Sequence, residues 1–327
     1  MRVLSGLTPS ADGVHMGNYF GAIRQWIALQ DEPGADAYYF IASYHGLISV
    51  RDRKLTEANG RGVALDYLAL GLDPNKAVLY RQSDLPEVCE LTWILTTLTP
   101  MGLLERCHAY KDKVARGIPA DHGLFAYPVL MAADILMPKG ERVPVGQDQK
   151  QHVEVARDIA QKFNHTYGEV FPLPEPLIPD GAAKVPGIDG EKMSKSYGNA
   201  ILVFDTEKRV KKTIGKIVTD SAGVDEKKEP EGNVIFELYK LVAGDDAVKA
   251  MAEQFRAGGY GYGHAKVALF EAFMDYFGAF RTRRAELERN PAEVEEILVH
   301  GAAKAREVAA ETLDQVRTAT GLAAKID

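Results

Sequence analysis

The chain has 327 residues, 46% hydrophobic and 26% charged, the balance of an ordinary soluble globular protein with room for two domains. A net charge of −7 excludes a generally basic nucleic-acid coat, so any RNA contact must use local basic patches on an acidic body. Two cysteines, Cys89 and Cys107, are too few and too far apart for a disulfide framework or a four-ligand zinc site; with no signal peptide or membrane-length apolar run, the expected address is cytoplasmic.

Arg2 to Gly6 reads as a short buried strand that ends in a turn carrying Pro9 and Gly13. A helix follows, because Met16, Phe20, Ile23 and Ile27 recur at three- and four-residue spacing. His15-Met16-Gly17-Asn18 lies across this junction, where free backbone N–H groups and the helix dipole favour an anionic phosphate. Gly17 lets a ligand approach the backbone, while His15 and Asn18 can donate to phosphate or ribose oxygens. The run 37–42, with Tyr38, Tyr39, Phe40 and Ile41, looks like a strand buried on both faces. His45, just past its end, is either a pocket residue or a loop histidine held by hydrogen bonds. Thr56 is expected to cap a helix that stops at Gly71, residues 77–80 form another strand, and Pro86 opens a helix with Leu91, Ile94, Leu95 and Leu98 on one face. Three alternations of strand and helix predict an α/β fold with a doubly wound, Rossmann-type parallel sheet.

Residues 127–137 are almost wholly apolar, and Asp134 is the single charge among them. Such a carboxylate is costly unless paired: it is a helix cap, an ion-pair member, or an acceptor aimed into an apolar ligand pocket. Residues 142–145 read as a strand, and Gly146-Gln147-Asp148-Gln149 turns the chain into a helix with Val153, Ala156, Ile159, Ala160 and Phe163 on one side. Asp148 at a strand end can accept from ribose hydroxyls, and Gln149 can meet a second polar ligand. From Phe171 to Gly190 the prolines and glycines read as a connector, which predicts a catalytic domain over 1–188 and a clamp loop with an all-helical domain over 189–327.

Lys192-Met193-Ser194-Lys195-Ser196 is the second candidate site. Two lysines three residues apart, with small hydroxyls between and Gly198 after them, can close on a polyphosphate as point charges, or can be a solvated surface loop. Lys208, Arg209, Lys211, Lys212 and Lys216 then cluster as a basic patch or a solvated helix face. Beyond the loop only helices are predicted, including 234–242 and 267–284, and Asn290-Pro291-Ala292-Glu293 begins a long final one.

Taken together, His15-Met16-Gly17-Asn18, the runs 127–136 and 143–152, Lys192-Met193-Ser194-Lys195-Ser196 and Gly258-Gly259-Tyr260-Gly261 make the chain similar to the bacterial tryptophanyl-tRNA synthetases, which are class I aminoacyl-tRNA synthetases. The resemblance covers nearly the whole chain. It implies activation of tryptophan by Mg-ATP to tryptophanyl-adenylate, transfer to tRNA(Trp), a homodimer, no membrane partner and no resident protein-bound metal. It implies ATP contacts at Thr8, His15, Gly17, Asn18, Gly146, Asp148, Lys192, Met193, Ser194 and Lys195. Lys192, Lys195 and Lys111 would meet the leaving pyrophosphate. Leu4, Gly6, His45, Tyr127, Met131, Asp134, Val143 and Gln149 would hold tryptophan, with Asp134 accepting the indole N–H. The final helix would return to the catalytic domain. The chain departs from the family's usual glutamine at Thr8 and usual acidic residue at Ser43. The competing readings are a tyrosyl-tRNA synthetase, an adenylyl-transferring enzyme of cofactor synthesis, and a catalytically reduced synthetase-like RNA-binding protein.

Overall fold

A computed structural model describes residues 1–9, 13–107, 110, 121–178 and 185–323, without the side chains of Asp148 and Ser196. Five parallel strands form one sheet in the order β3-β2-β1-β4-β5: β1 is Arg2–Leu7, β2 Asp36–Ile41, β3 Ala77–Arg81, β4 Arg142–Pro144 and β5 Glu175–Leu177. The chain winds from β1 through β2 to β3 on one side and then returns to place β4 and β5 on the other. The crevice beyond the carboxyl ends of β1 and β4 is therefore the topological switch point, where ligands of such sheets bind. Ser5 donates its hydroxyl to the Pro144 carbonyl at 3.2 Å across that boundary.

The alternation along β2 separates two cores. Tyr39 and Ile41 join Leu7 and Leu79 on one face, whereas Tyr38 and Phe40 join Leu4, Tyr80 and Val143 on the other. The first face is covered by α1 (residues 16–28), which contains a π-helical turn at Tyr19–Ile23, and by α3 (Arg53–Ala69); α2 is the single turn Ser43–Gly46. The second face carries α4 (Glu87–Thr96), α6 (His122–Leu136) and α7 (Lys150–Tyr167), with α5 (Met101–Glu105) beside them. The first core continues through Met193, Ile201 and Val203 into α8 (Glu207–Gly215), α9 (Val234–Val242), α10 (Asp245–Ala257), α11 (Tyr262–Tyr276) and α12 (Gly278–Arg289). No described helix is long and apolar enough to cross a membrane.

The last helix, α13 (Pro291–Thr320), leaves this helical half and lies along β3 and α4. Gly301 makes that approach possible, because a Cβ there would stand 1.9 Å from the Leu79 carbonyl oxygen. Ala302, Ala305 and Ala309 continue the close-packed face, and Arg81–Glu295, Arg306–Glu87 and Arg317–Glu90 ion pairs flank it.

Several local expectations change. The cap of α3 is Asp52, whose carboxylate accepts the Leu55 N–H at 2.9 Å, and Thr56 instead donates its hydroxyl to the Asp52 carbonyl. The stretch expected as a connector contains β5; Pro176 is tolerated because β5 is an edge strand with one ladder only. Residues 267–284 are not one helix: α11 and α12 meet at Phe277, at φ −90° and ψ 1°. At the start of α13, Asn290 does not cap with its oxygen; its side-chain amide donates to Glu293 at 3.1 Å.

Candidate active site

The start of α1 is preorganised by its own side chains. His15 Nδ1 accepts the Asn18 N–H at 3.2 Å, and Asn18 Oδ1 accepts the His15 N–H at 3.5 Å, a reciprocal cap. Because Nδ1 accepts, the ring proton resides on Nε2. Burial, and then the positive charge of Lys195, lower the His15 pKa to about 4, so the imidazole is neutral at physiological pH. A neutral ring with a donating Nε2–H suits a phosphate oxygen.

The two candidate motifs, about 175 residues apart in sequence, meet directly. The Gly17 N–H points at Met193 Sδ at 3.3 Å, and Lys195 Nζ donates to the Gly13 carbonyl at 2.9 Å. A Cβ on Gly17 would come within 3.1 Å of Met193 and 3.0 Å of the His15 ring. Lys192 is exposed, whereas Lys195 and Ser194 are half-buried. Behind the loop lies Asn199, 2% exposed, which sequence reasoning left without a role. Its Oδ1 accepts the Ser194 N–H at 2.8 Å, while Nδ2 donates to Asp189 at 2.8 Å and to the Lys192 carbonyl at 3.2 Å. Gly187 gives it room, since a Cβ there would overlap the Asn199 amide. Lys111 lies outside the described residues, as does the side chain of Asp148.

A second cluster gathers where the ends of β2 and β3 meet α6. Asp134 is inside α6, which rules out a cap, and it is paired: His45 Nε2 lies 2.9 Å from Oδ2. Gln82 donates to both carboxylate oxygens, at 2.7 and 2.8 Å. Burial raises the Asp134 pKa, and the contacts with His45 and Gln82 pull against that rise. Gln82 in turn accepts the Tyr44 N–H at 2.9 Å. Gln82 was missed in the sequence, although it follows β3 directly and strand ends are where such sheets bind ligands. An ionised carboxylate has about four acceptor positions, so these three contacts leave capacity for one more donor.

Tyr127, Met131 and Asp134 share one face of α6 at helical spacing, and the Tyr127 ring stands edge-on to His45, centroids 6.1 Å apart. The Tyr127 hydroxyl meets His152 Nε2 at 2.8 Å, and burial raises its pKa. Val143 is buried at β4, Met131 is half-buried, and Gln149 is half-buried at the end of the turn that Gly146 begins. Gly6 and Thr8 are exposed at and beyond the end of β1; a Cβ on Gly6 would strike the Phe40 ring at 2.7 Å. Leu4 is different. It is fully buried in the second core, so it supports the region from beneath. Ser43 accepts the Ser83 N–H at 3.0 Å and ties α2 to the segment after β3.

This arrangement can hold a polyphosphate between a helix start and a lysine loop, and its second cluster offers one buried acceptor, Asp134. A family model described as tRNA synthetases class I (W and Y) matches residues 1–278. The chain is 53% identical to the tryptophan–tRNA ligase of Rhodopirellula baltica, over 98% of this chain and 100% of that one. It is 50% identical to the corresponding ligase of Fusobacterium nucleatum over 99% of each. Its fold is similar to a crystal structure of Campylobacter jejuni tryptophanyl-tRNA synthetase complexed with ADP and tryptophan, at TM-score 0.95 and 49% identity, covering 98% of this chain and 100% of that one. A near-complete match at this identity establishes that the chain belongs to the class I tRNA synthetases for tryptophan and tyrosine, among the bacterial tryptophan–tRNA ligases.

Proposed function

We infer that this chain activates tryptophan with ATP to tryptophanyl-adenylate and pyrophosphate, and then transfers the tryptophanyl group to tRNA(Trp). The observation that carries the phosphate half is the contact of the lysine loop with the start of α1, through Met193–Gly17 and Lys195–Gly13. In the first step a carboxylate oxygen of tryptophan attacks the α-phosphorus, and the bond to the pyrophosphate oxygen breaks. In the second, the terminal ribose hydroxyl of tRNA attacks the activated carbonyl, and AMP leaves. Catalysis of this kind is positioning plus stabilisation of charge on the phosphates.

In this reading His15 donates from Nε2 to a phosphate oxygen, and Gly17 and Asn18 offer the helix start. Lys192, Lys195 and Lys111 meet the leaving pyrophosphate, with Met193 and Ser194 shaping the loop. Thr8, Gly146 and Asp148 contact the rest of ATP. Magnesium comes as part of the Mg-ATP substrate, since Mg²⁺ characteristically rides on substrate phosphates. Tryptophan lies among Gly6, Met131 and Val143 above Leu4, its ammonium held by Tyr127 and Gln149. Its indole N–H takes the remaining acceptor position of Asp134, which His45 and Gln82 hold in place. A tyrosine hydroxyl would reach a different depth, and phenylalanine would leave that acceptor unpaired.

The same reading divides the chain into a catalytic domain over 1–188 and a clamp loop with tRNA-binding helices over 189–327, and gives it a cytoplasmic address. The exposed cations Lys208, Arg209, Lys211, Lys212 and Lys216 on and after α8 support an RNA contact on an acidic body. A homodimer is supported by Trp93 and Met101, which are 71% and 63% exposed on α4 and α5 beside the exposed Cys89. The test is charging of tRNA(Trp) with labelled tryptophan. The parent should charge it, and the Lys211→Glu, Lys212→Glu double variant should lose charging while keeping ATP–pyrophosphate exchange. Failure of the parent to form tryptophanyl-tRNA would refute the function, and full charging by the double variant would refute the RNA patch.

A further inference from the structure

The contact between the lysine loop and the start of α1 is set by a short two-stranded ladder. Val203 N–H donates to the Val14 carbonyl at 2.9 Å, Met16 N–H donates to the Ile201 carbonyl at 3.0 Å, and His15 pairs with Leu202 between them. Sliding this ladder would move Lys195 relative to His15. Its register is therefore part of the phosphate site.

Both strands of the ladder are tied from behind to α12, one helical turn apart. Arg281 donates from its two terminal nitrogens to the carbonyls of Val203 and Asp205, at 2.6 and 2.7 Å. Arg284 donates from Nε to Asp66 Oδ1 at 2.7 Å, and Asp66 Oδ2 accepts the Val14 N–H at 3.1 Å. Asp66, on α3, is 1% exposed; it holds the Val14 backbone, and its charge also interacts with Lys195. Gly13, whose carbonyl accepts from Lys195, has φ +67°, and a Cβ there would stand 3.1 Å from Asp66 Oδ2. Charge-assisted donors hold such geometry better than neutral ones, and a planar guanidinium presents its donors in a fixed fork, whereas an ammonium is a point charge on a flexible stem.

We propose that Arg281 and the Arg284–Asp66 pair are positioning residues of the adenylation step, which fix from α12 the register at which Lys195 meets the nucleotide-binding start of α1. The proposal rests on the function inferred above. Its consequence is separable: loosening either tether should affect the ATP side of the reaction and spare the tryptophan pocket, which lies on other elements.

The experiment measures tryptophan-dependent ATP–pyrophosphate exchange and, separately, tryptophan binding by equilibrium dialysis. Variants are Arg281→Gln, Arg284→Gln, Arg284→Lys and Asp66→Asn, with Arg281→Gln also placed in a Lys195→Ala background. Arg281→Gln removes hydrogen bonds to carbonyls, and the acidic groups near it are the exposed Glu207 and the half-buried Asp205, which Arg209 also pairs, so no buried carboxylate is left unpaired and the variant should fold. It should raise the KM for ATP or lower kcat about ten- to a hundredfold, as small misplacements do, with tryptophan binding within about twofold of the parent. Arg284→Lys should recover much of what Arg284→Gln loses, and Asp66→Asn should resemble Arg284→Gln. With Lys195 already removed, Arg281→Gln should cost far less, because the group it positions is gone. Unchanged exchange in Arg281→Gln, parallel losses of ATP and tryptophan affinity, or a full independent loss in the Lys195→Ala background would overturn the proposal. Absence of exchange in the parent would instead overturn the function on which it rests.

Discussion

His15 shows how one residue links stability to chemistry. Its folded pKa is about 4 against an ordinary 6.5, because burial and Lys195 disfavour the charged ring. Below about pH 6.5 the unfolded chain takes up a proton at this position before the folded chain does. The stabilisation present above pH 6.5 is therefore lost as pH falls to about 4, an effect of about 3 kcal/mol. Urea unfolding of the parent and His15→Gln over that range should show the steeper decline in the parent; parallel curves would contradict the burial of a neutral ring. Asp134 makes a different demand. A site that hydrogen-bonds its ligand can reject an analogue lacking the group by factors on the order of 10⁴ to 10⁵. Asp134→Ala should lose most discrimination between tryptophan and phenylalanine and much of the efficiency for tryptophan, and Asp134→Asn should lose less. Retained preference in Asp134→Ala would reduce the carboxylate to a buried partner of His45 and Gln82. At this scale the sequence was informative where chemistry is local: His15, Gly17 and the lysines stand in short motifs. Gln82 acts on Asp134, 52 residues away, and only its place after β3 hinted at a role, whereas Asn199 acts within its own loop, on backbone and carboxylate groups whose arrangement its neighbours' residue types do not show.

Among the elements, α13 has the most specific requirement. Gly301 sits where any side chain would overlap the Leu79 carbonyl, so the helix can approach the edge strand only at a glycine. Gly301→Ala should destabilise the fold by about 3 kcal/mol, in the upper range for overpacking, and thermal denaturation should reveal it. A melting temperature equal to the parent's would mean that α13 is not held against β3 in this way. The strands β1 to β4 were legible because continuous apolar runs bounded by turns are the mark of a doubly covered parallel sheet. β5 was not: it has three residues, includes Pro176, and is stabilised by pairing with β4 rather than by its own pattern. The break at Phe277 was faint, since the apolar spacing runs through it and Gly278 is its one local mark, whereas Phe277 packs there against Tyr19, Phe20 and Phe273.

At the scale of the whole molecule, the first core joins the sheet to the helical half through Met193 of the lysine loop and Ile201 and Val203 just after it. The proposed phosphate site is thus built at a junction, and both of its halves, through Met16 and Met193, are rooted in one continuous core. In the proposed homodimer, the exposed face of α4 and α5 is the candidate interface. In a twofold interface the same patch lies on both sides, so a charge introduced there acts twice. Trp93→Glu should convert a dimer to a monomer in sedimentation velocity, whereas a monomeric parent, or a variant that stays dimeric, would contradict that interface. Most direct for the account as a whole is ATP–pyrophosphate exchange with tryptophan, measured on the parent and on Lys195→Ala alongside tryptophan binding. The account predicts robust exchange that depends on tryptophan in the parent. In the variant it predicts a loss of roughly a hundredfold, about 3 kcal/mol, with tryptophan binding retained, as expected for a charge that meets the pyrophosphate mainly in the transition state. No tryptophan-dependent exchange in the parent, or equal rates in the two proteins, would contradict it.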